Sequence, residues 1–443
     1  MLGEYVIVGR RASEIAASVE AGVAAGRLAP GALLPPMREL AGELGVNPNT
    51  VAAAYRTLRD RGVIETDGRR GSRVRARPAS TPRDALRVAV PPGGRDLASG
   101  NPDPAVLPDL TAALAAAARR YARAPTRYGD DPVVPELARL ARAGLDADGV
   151  PAGPVGLTGG ALDAIERVLS AHLRPGDAVA VEDPGWGSVL DLVPALGLRI
   201  APVAVDDDGP VPEAVERALA EGARALVVTA RAQNPTGALL GAGRAAELRR
   251  LLARYPHVLV VDDDHGHGMV DLPLESLGGV TRHWALVRST AKAYGPDLRL
   301  GVLTGDPVTV DRVLGRQRLG PGWVSRLLQY AVIDLWTSGA VDPRVVARAY
   351  GERRDALVAA LGERGVAAHG RSGMNAWVPV TDETGVVTRL LSAGWAVAPG
   401  ARFRVDSGPG VRITVSPVAR EEIPALADAV AEAVRPARGA RYD

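Results

Sequence analysis

Beyond residue 96 the chain alternates short, Val-rich apolar runs with helical stretches, and this alternation limits the folds open to it. The runs are Val155–Leu157, Ala178–Val181, Ala225–Thr229, Val258–Val261, Ala285–Val287 and Leu300–Leu303. Ala161–Leu173, Pro212–Glu221 and Gly243–Tyr255 carry helical spacing between them. Continuous apolar strands separated by helices predict an α/β fold on a mainly parallel sheet covered on both faces. Ligands of such sheets sit beyond the carboxyl ends of the strands, so the residues that follow each run are candidates for chemistry.

Lys292 is the only lysine among the 53 Lys and Arg residues of the 443-residue chain. Arg stays protonated and cannot condense with a carbonyl, whereas a desolvated Lys can lose its proton and form a Schiff base. A leftover surface lysine is the plain alternative, and the neighbouring residues argue against it. Ser289-Thr-Ala-Lys292 and the following Arg299 set a hydroxyl and a guanidinium on either side of the amine, which suits an aldehyde that also carries a phosphate. Ser289 and Lys292 also fit the Ser-x-x-Lys of penicillin-binding proteins. Those proteins need a Lys-Thr-Gly element, which a chain with one lysine cannot supply, and a Walker A loop is excluded in the same way.

Thr158-Gly-Gly160-Ala161 follows a strand and opens a helix, where free N–H groups could cradle a phosphate, although a glycine turn also serves simple chain reversal. Glu182-Asp-Pro-Gly-Trp186 could lay an indole over a flat ring, and Gln233-Asn234-Pro-Thr-Gly237 places an amide in a tight turn at a strand end. Asp262-Asp263-Asp264-His265-Gly-His267 offers carboxylates and imidazoles to a divalent metal. Consecutive strand residues point to opposite faces, however, so few of them converge. A single carboxylate aimed at a pyridinium nitrogen fits the other pieces better, because a protonated ring is the electron sink of pyridoxal chemistry. No metal is expected.

The first 77 residues hold 12 Arg against eight acidic residues, while the remainder holds 41 basic against 43 acidic, so a basic block precedes a near-neutral body and hints at a polyanion partner. Ile15, Val19 and Val23 recur every fourth residue after Ser13, a possible helix cap. Met37 to Leu44 reads as a second helix. Asn47 is a good N-cap for a third, with Pro48 at its first position and Val51, Ala54, Tyr55 and Leu58 as its apolar stripe. Val63–Thr66 and Ser72–Arg75, joined through Asp67-Gly68, read as a hairpin. Three helices and a basic hairpin make a winged helix-turn-helix. Pro78, Pro82, Pro91-Pro92 and Gly93-Gly94 mark a linker. The expected division is therefore a DNA-binding domain over residues 1–76, a linker over 77–95 and a large domain over 96–443.

Zero Cys removes disulfides, Cys-based zinc sites and thiol catalysis. No apolar run approaches the roughly 20 residues of a membrane span, and the N-terminus lacks a secretory pattern, so a soluble cytoplasmic protein is the default expectation.

Gly26-Arg-Leu-Ala-Pro-Gly31, Leu34-Pro-Pro-Met-Arg38-Glu-Leu-Ala41 and Gly45-Val-Asn-Pro-Asn49-Thr50-Val51 resemble the DNA-binding domain of GntR-type bacterial regulators. The resemblance implies that Arg38, Asn49 and Thr50 contact phosphates or bases and that Arg69, Arg70 and Gly71 of the wing reach the minor groove. Pro48 stands where that family often has an Arg. Residues 97–443 resemble a fold-type-I pyridoxal 5′-phosphate (PLP) aminotransferase with large and small subdomains, and the whole chain resembles the MocR subfamily. The Leu97-Ala-Ser-Gly-Asn-Pro-Asp-Pro-Ala-Val-Leu-Pro108 stretch looks like the PtsJ-like branch, linked to vitamin B6.

By that resemblance Lys292 would carry the cofactor as a Schiff base, Asp263 would pair with the ring nitrogen, Asn234 would bond the ring oxygen and Trp186 would stack on the ring. Gly160, Ala161, Ser289 and Arg299 would hold the phosphate, with Tyr128 reaching it from a second subunit of a homodimer. Arg412 would clamp the carboxylate of a substrate or amine effector. His265 stands where the family usually has a Tyr, and Leu162 replaces a common polar residue. The implied function is a PLP-responsive regulator of vitamin B6 genes that binds double-stranded DNA at paired half-sites. A working aminotransferase with an incidental N-terminal block, and a constitutive DNA-binding protein with a dead cofactor fold, are the alternatives.

Overall fold

The computed structural model describes residues 5–24, 27–29, 31–60, 63–66, 71–74, 83 and 90–435. The chain divides into two compact units, one of Met1–Leu86 with Arg174–Ala178 and Asp191–Ile200, the other of Arg87–Leu173, Val179–Leu190 and Ala201–Asp443.

In the first unit three helices, α1 (Ala12–Ala24), α2 (Met37–Leu44) and α3 (Pro48–Asp60), precede a hairpin of β1 (Ile64–Thr66) and β2 (Ser72–Val74). Ile15 and Val19 of α1, Leu40 of α2 and Val51, Ala54, Tyr55 and Leu58 of α3 close on one core with Ile64 and Val74 of the hairpin. Each such aliphatic side chain contributes roughly 1.5–3 kcal/mol when fully buried. Helix α2 stops at Gly45, whose φ of 63° is the left-handed cap that glycine adopts without steric cost. Asn47 then caps α3, its Oδ1 accepting the Asn49 N–H at 2.8 Å.

Two details depart from the sequence reading. Helix α1 begins at Ala12, which puts Ser13 inside it. The donors at the entry are taken by Glu14 Oε2, which accepts from Arg10 N at 2.9 Å and Arg11 N at 3.2 Å. The wing also gains a third member: Gly31 N donates to Val74 O and Leu34 N to Ser72 O, both at 2.8 Å. The turn of the hairpin at residues 67–70 lies outside the described residues.

The second unit begins with β3 (Arg95–Leu97), α4 (Thr111–Arg123) and α5 (Pro135–Ala147). In chain order β4 (Val155–Thr158), α6 (Ala161–His172), β5 (Ala178–Asp183), α7 (Gly187–Ala195), β6 (Arg199–Asp206), β7 (Gly209–Pro210) and α8 (Pro212–Ala220) follow, with residues 178, 191–195 and 199–200 of β5, α7 and β6 counted in the first unit. Next come β8 (Ala223–Thr229), α9 (Ala242–Leu252), β9 (Leu259–Asp264), β10 (His283–Ser289), α10 (Ala291–Tyr294), β11 (Gly301–Gly305), α11 (Pro307–Arg318), α12 (Arg326–Ser338) and α13 (Pro343–Glu363). The last elements are β12 (Asn375–Pro379), α14 (Glu383–Ser392), β13 (Trp395–Pro399), β14 (Gly410–Thr414) and α15 (Ile423–Val434).

Eight strands form one sheet in the order β4-β11-β10-β9-β8-β5-β6-β7. β9 runs parallel to β8 and β10, whereas β11 runs against both β10 and β4. Every residue of β5 and β9 is buried, as expected for strands covered on both faces. The register sets Thr229 and Val287 on either side of Asp263, and it lines Ser289, Gly301 and Thr158 in one row.

A smaller sheet, ordered β12-β14-β13-β3, packs its apolar face with α13, α14 and α15 around Leu97, Tyr350, Leu357, Leu390, Ile413 and Leu426. β3 begins at Arg95, the last residue read as linker. Parallel pairing of Arg95 with Trp395 makes it a strand.

Candidate functional site

The row of strand ends in the second unit gathers most of the residues singled out above. Gly160 precedes α6 with a φ of 123°, and as a glycine it leaves the first turn of that helix without a side-chain cap. Arg299, itself held at φ 44°, brings its guanidinium up to this turn, so that a Cβ at Gly160 would lie 3.4 Å from Nη2. Ala161 and Ser289 are buried beside them, with Ser289 Oγ accepting the Ala291 N–H at 3.2 Å. Open amides at a helix N-terminus, a hydroxyl and a guanidinium are the equipment for a phosphate.

The three aspartates at the end of β9 point apart, as strand geometry requires. Asp262 Oδ2 accepts from Ser276 Oγ at 2.6 Å and from the Leu277 and Gly278 amides, and burial pushes its pKa up to about 6. Asp264 is gripped by two guanidiniums: Arg231 binds both of its oxygens at 2.9 Å and Arg288 Nε binds Oδ2 at 2.8 Å. Asp263 faces the site. Its Oδ2 lies 2.9 Å from His265 Nδ1, while its Oδ1 is buried with no hydrogen-bond partner. His265 Nε2 lies 2.8 Å from the Ala232 carbonyl, which can only accept, so this nitrogen carries a proton. Burial works against a second proton on the ring, but the charge and hydrogen bond of Asp263 outweigh it and the pKa of His265 is raised. The imidazolium so favoured is paired with Asp263 Oδ2, and both ring nitrogens of His265 are engaged.

Asn234 Oδ1 accepts from Arg412 Nη1 at 3.0 Å, which leaves the amide NH2 as its donor face. Its turn is fixed from below by Glu182, which accepts from Thr229 N at 3.0 Å and Gln233 Nε2 at 3.2 Å. Glu182 is fully buried, and burial, with the nearby charge of Asp263 adding to it, lifts its pKa to about 7. Trp186 is half-buried, with its ring 6.4 Å from that of His265 and inclined by 49°. Lys292 Nζ donates to the Gly100 carbonyl at 2.8 Å. Arg412, in β14, is buried and donates to the Ala98 carbonyl at 2.5 Å. Lys292, Asn234, His265 and Arg412 line a common cavity.

Tyr128 is not brought to this site within the chain. It is 95% exposed, with its ring edge-on to Trp323 at 5.7 Å. Donor atoms of Asp148, Asp264 and His267 lie within 4.8 Å of one another. Arg231 and Arg288 already neutralise the two carboxylates, and burial together with those same guanidiniums lowers the His267 pKa to about 3. In the first unit Arg38 and Asn49 are exposed in the opening turns of α2 and α3, Thr50 is half-buried beside Asn49, and Gly71 is exposed at the start of β2 with a φ of 85°. Arg69 and Arg70 lie outside the described residues.

Sequence reasoning did not single out Gly100, Arg231, Arg288 or Arg402. Their partners are distant in the chain, and the one available signal was the run of glycine and small residues after Leu97.

Residues 11–74 match the family described as bacterial regulatory proteins, gntR family, and residues 94–430 match aminotransferase class I and II. The chain is 42% identical over 435 residues to the vitamin B6 salvage pathway transcriptional repressor PtsJ of Salmonella typhimurium, covering 97% of this chain and 100% of that protein. It is 24% identical to the probable rhizopine catabolism regulatory protein MocR of Rhizobium meliloti, over 91% of this chain and 85% of the other. Among solved structures, kynurenine aminotransferase from Pyrococcus horikoshii superposes with a TM-score of 0.69 at 23% identity, over 77% of this chain and 90% of its own, a likeness of fold.

Proposed function

Because the chain belongs to the MocR subfamily of GntR-type regulators, we propose that it is a transcriptional regulator of vitamin B6 genes whose aminotransferase-like unit senses pyridoxal phosphate. The observation that carries this reading is the buried Asp263, which keeps one oxygen without a hydrogen-bond partner and pairs through the other with His265, a residue that lines one cavity with the chain's single lysine. A buried acceptor left unmade costs about 1–3 kcal/mol, and a protonated ring nitrogen would satisfy it. The PLP group supplies an aldehyde for an amine and a ring whose protonated nitrogen withdraws electrons.

Lys292 provides the amine. Asp263, oriented by its hydrogen bond with His265, accepts the ring N–H. Asn234 offers its NH2 to the ring oxygen, and Trp186 covers the ring. Gly160, Ala161, Ser289 and Arg299 take the phosphate, with Tyr128 of a second copy completing it in a homodimer. Arg412 takes the carboxylate of an amine effector. In the other unit Arg38, Asn49, Thr50, Arg69, Arg70 and Gly71 meet DNA, with two such units on paired half-sites in the bacterial cytoplasm. Affinity for DNA then changes only as far as the ligand favours one arrangement of the two subunits.

Borohydride reduction of the PLP-loaded protein, followed by peptide mapping, is expected to place an adduct on Lys292. A DNA footprint upstream of the protein's own locus is expected to change when the cofactor is added. Loss of the adduct in wild-type protein, or identical footprints in both conditions, overturns the reading. Rapid multiple turnover of an amino donor without any effect on the footprint would favour an enzyme instead.

A further inference from the structure

Residues 98–100 cross the site as a backbone strap. Their carbonyls are bound by the two groups that the functional reading reserves for ligands: Arg412 Nη2 donates to Ala98 O at 2.5 Å and Lys292 Nζ to Gly100 O at 2.8 Å. A second buried guanidinium reaches the same Ala98 oxygen, with Arg402 Nη1 at 3.5 Å, a long contact. Between the two arginines lies Phe403, the only phenylalanine in the chain and fully buried, with Arg412 Cζ 4.8 Å and Arg402 Cζ 5.6 Å from its ring centre. Both distances fall within cation–π range, so one aromatic ring helps to hold two positive charges at one spot.

The strap is anchored at both ends and shaped for its place. Asp96 Oδ1 accepts the Ala98 and Ser99 amides at 2.9 and 3.0 Å, and Ser416 Oγ donates to Asn101 O at 2.6 Å. Gly100 sits at φ +68°, and a Cβ there would come within 3.0 Å of Arg412 Nη2. Glycine thus lets the backbone lie against the guanidinium. With the strap in place, the cavity among Gly100, Asn234, His265, Lys292 and Arg412 measures about 30 Å³, the room of a single water.

We infer that residues 98–100 are an internal placeholder for a carboxylate-bearing amine: the Ala98 carbonyl occupies a two-arginine carboxylate subsite made by Arg412 and Arg402, and the ligand enters by displacing the strap. This rests on the functional reading above for the roles of Lys292 and Arg412. A carbonyl oxygen is a neutral acceptor, whereas a carboxylate brings a full charge and can take two parallel N–H bonds from a guanidinium, so it is the stronger occupant of this spot. The strap follows β3 directly, and β3 follows the linker in chain order.

The test uses full-length protein loaded with PLP, with acetate as the probe and acetamide, at matched ionic strength, as the neutral control. Amide hydrogen exchange at residues 98–101 is expected to quicken saturably with acetate and not with acetamide. Arg402→Gln should weaken the acetate response about tenfold, the loss of one charge-assisted bond. Gly100→Ala should do the opposite, strengthening it about fivefold, because an L-residue at this φ disfavours the docked strap. General damage to the fold would move both variants the same way. Unchanged exchange with acetate, or variants that shift together, overturns the inference. Borohydride reduction of the same sample reports Lys292 separately. An adduct with no acetate response sinks the placeholder alone, while an acetate response with no adduct sinks the cofactor reading.

Discussion

In the winged helix the described acidic residues Glu14, Glu39, Glu43 and Glu65 stand in solvent, as do Arg38 and Asn49. In the aminotransferase-like unit Glu182, Asp262, Asp263, Asp264, Arg231, Arg288, Arg402 and Arg412 are all buried. The contrast follows from what each unit has to meet. A polyanion is bound from outside by charges that water and salt screen, so each side chain acts almost alone. A small ligand is bound inside, where charges are strong only when their partners are fixed in advance, so each side chain is tied to the fold. Substitutions of charge should therefore cost stability in one unit and only affinity in the other.

The largest break in that contrast should come at Asp264. Replacing it with Ala leaves Arg231 and Arg288 buried after losing the carboxylate that both bind. Removing one partner of such a network costs about 3–5 kcal/mol. All six tryptophans, from Trp186 to Trp395, lie beyond residue 86, so their fluorescence during denaturant unfolding reports on this unit. A clearly lower midpoint is expected, together with weaker cofactor uptake, since Asp263 is the adjoining residue of β9. An unmoved midpoint would mean that the arginines find water or other acceptors and that burial does not set the cost.

Glu182 sharpens the comparison through pH. Its ordinary pKa of 4.5 is raised to about 7, chiefly by burial, so the folded protein holds a proton that the unfolded chain has released. Stability from this group is therefore fully present below about 4.5, falls as pH rises to about 7, and is level above that. The total is up to about 3 kcal/mol. Glu182→Gln cannot release that proton, so its stability relative to wild type should climb through the same window. Parallel curves for the two proteins across that window would show Glu182 ionised throughout in the native state.

The sequence revealed these regions unevenly, and the reason is how local each signal is. β8 was legible to within two residues and β9 to within three, because strands buried on both faces are largely apolar, and the β9 end was missed where the apolar run gives way to three aspartates. Lys292 stood out as the one amine. The cap at Asn47 was legible because it acts two residues away. The start of α1 lies upstream of Ser13, where Glu14, inside the helix, accepts the Arg10 and Arg11 amides and fixes the entry. Hidden altogether were the strap, whose Gly100 meets Lys292 across 192 residues, and the Arg288–Asp148 pair, 140 residues apart. Neither periodicity nor composition encodes which distant carbonyl or carboxylate a cation will meet.

On the exposed side, Arg38→Ala should leave folding stability within about 0.5 kcal/mol of wild type. DNA binding should weaken about tenfold at moderate salt, and the slope of log affinity against log salt should drop by about one if the contact is to a phosphate. Cofactor absorbance should not move. A changed spectrum would contradict the separation of roles between the units.

The smallest effect is expected at Asn47→Ala, and it tests whether the exposed unit has any residue in which recognition and folding are joined. Asn47 Oδ1 accepts the Asn49 N–H, so the side chain that starts α3 also orients the residue expected to meet DNA. Loss of a side-chain cap costs about 1 kcal/mol. Amide exchange in α3, from Val51 to Leu58, should quicken accordingly, while the tryptophan-reported transition of the other unit stays put. DNA affinity should fall a few-fold for every sequence tried, because a frayed first turn mispositions Asn49 and Thr50 without removing a contact of its own. If binding instead becomes less selective among operators while exchange in α3 is unaltered, Asn47 reads DNA itself, and its cap is incidental.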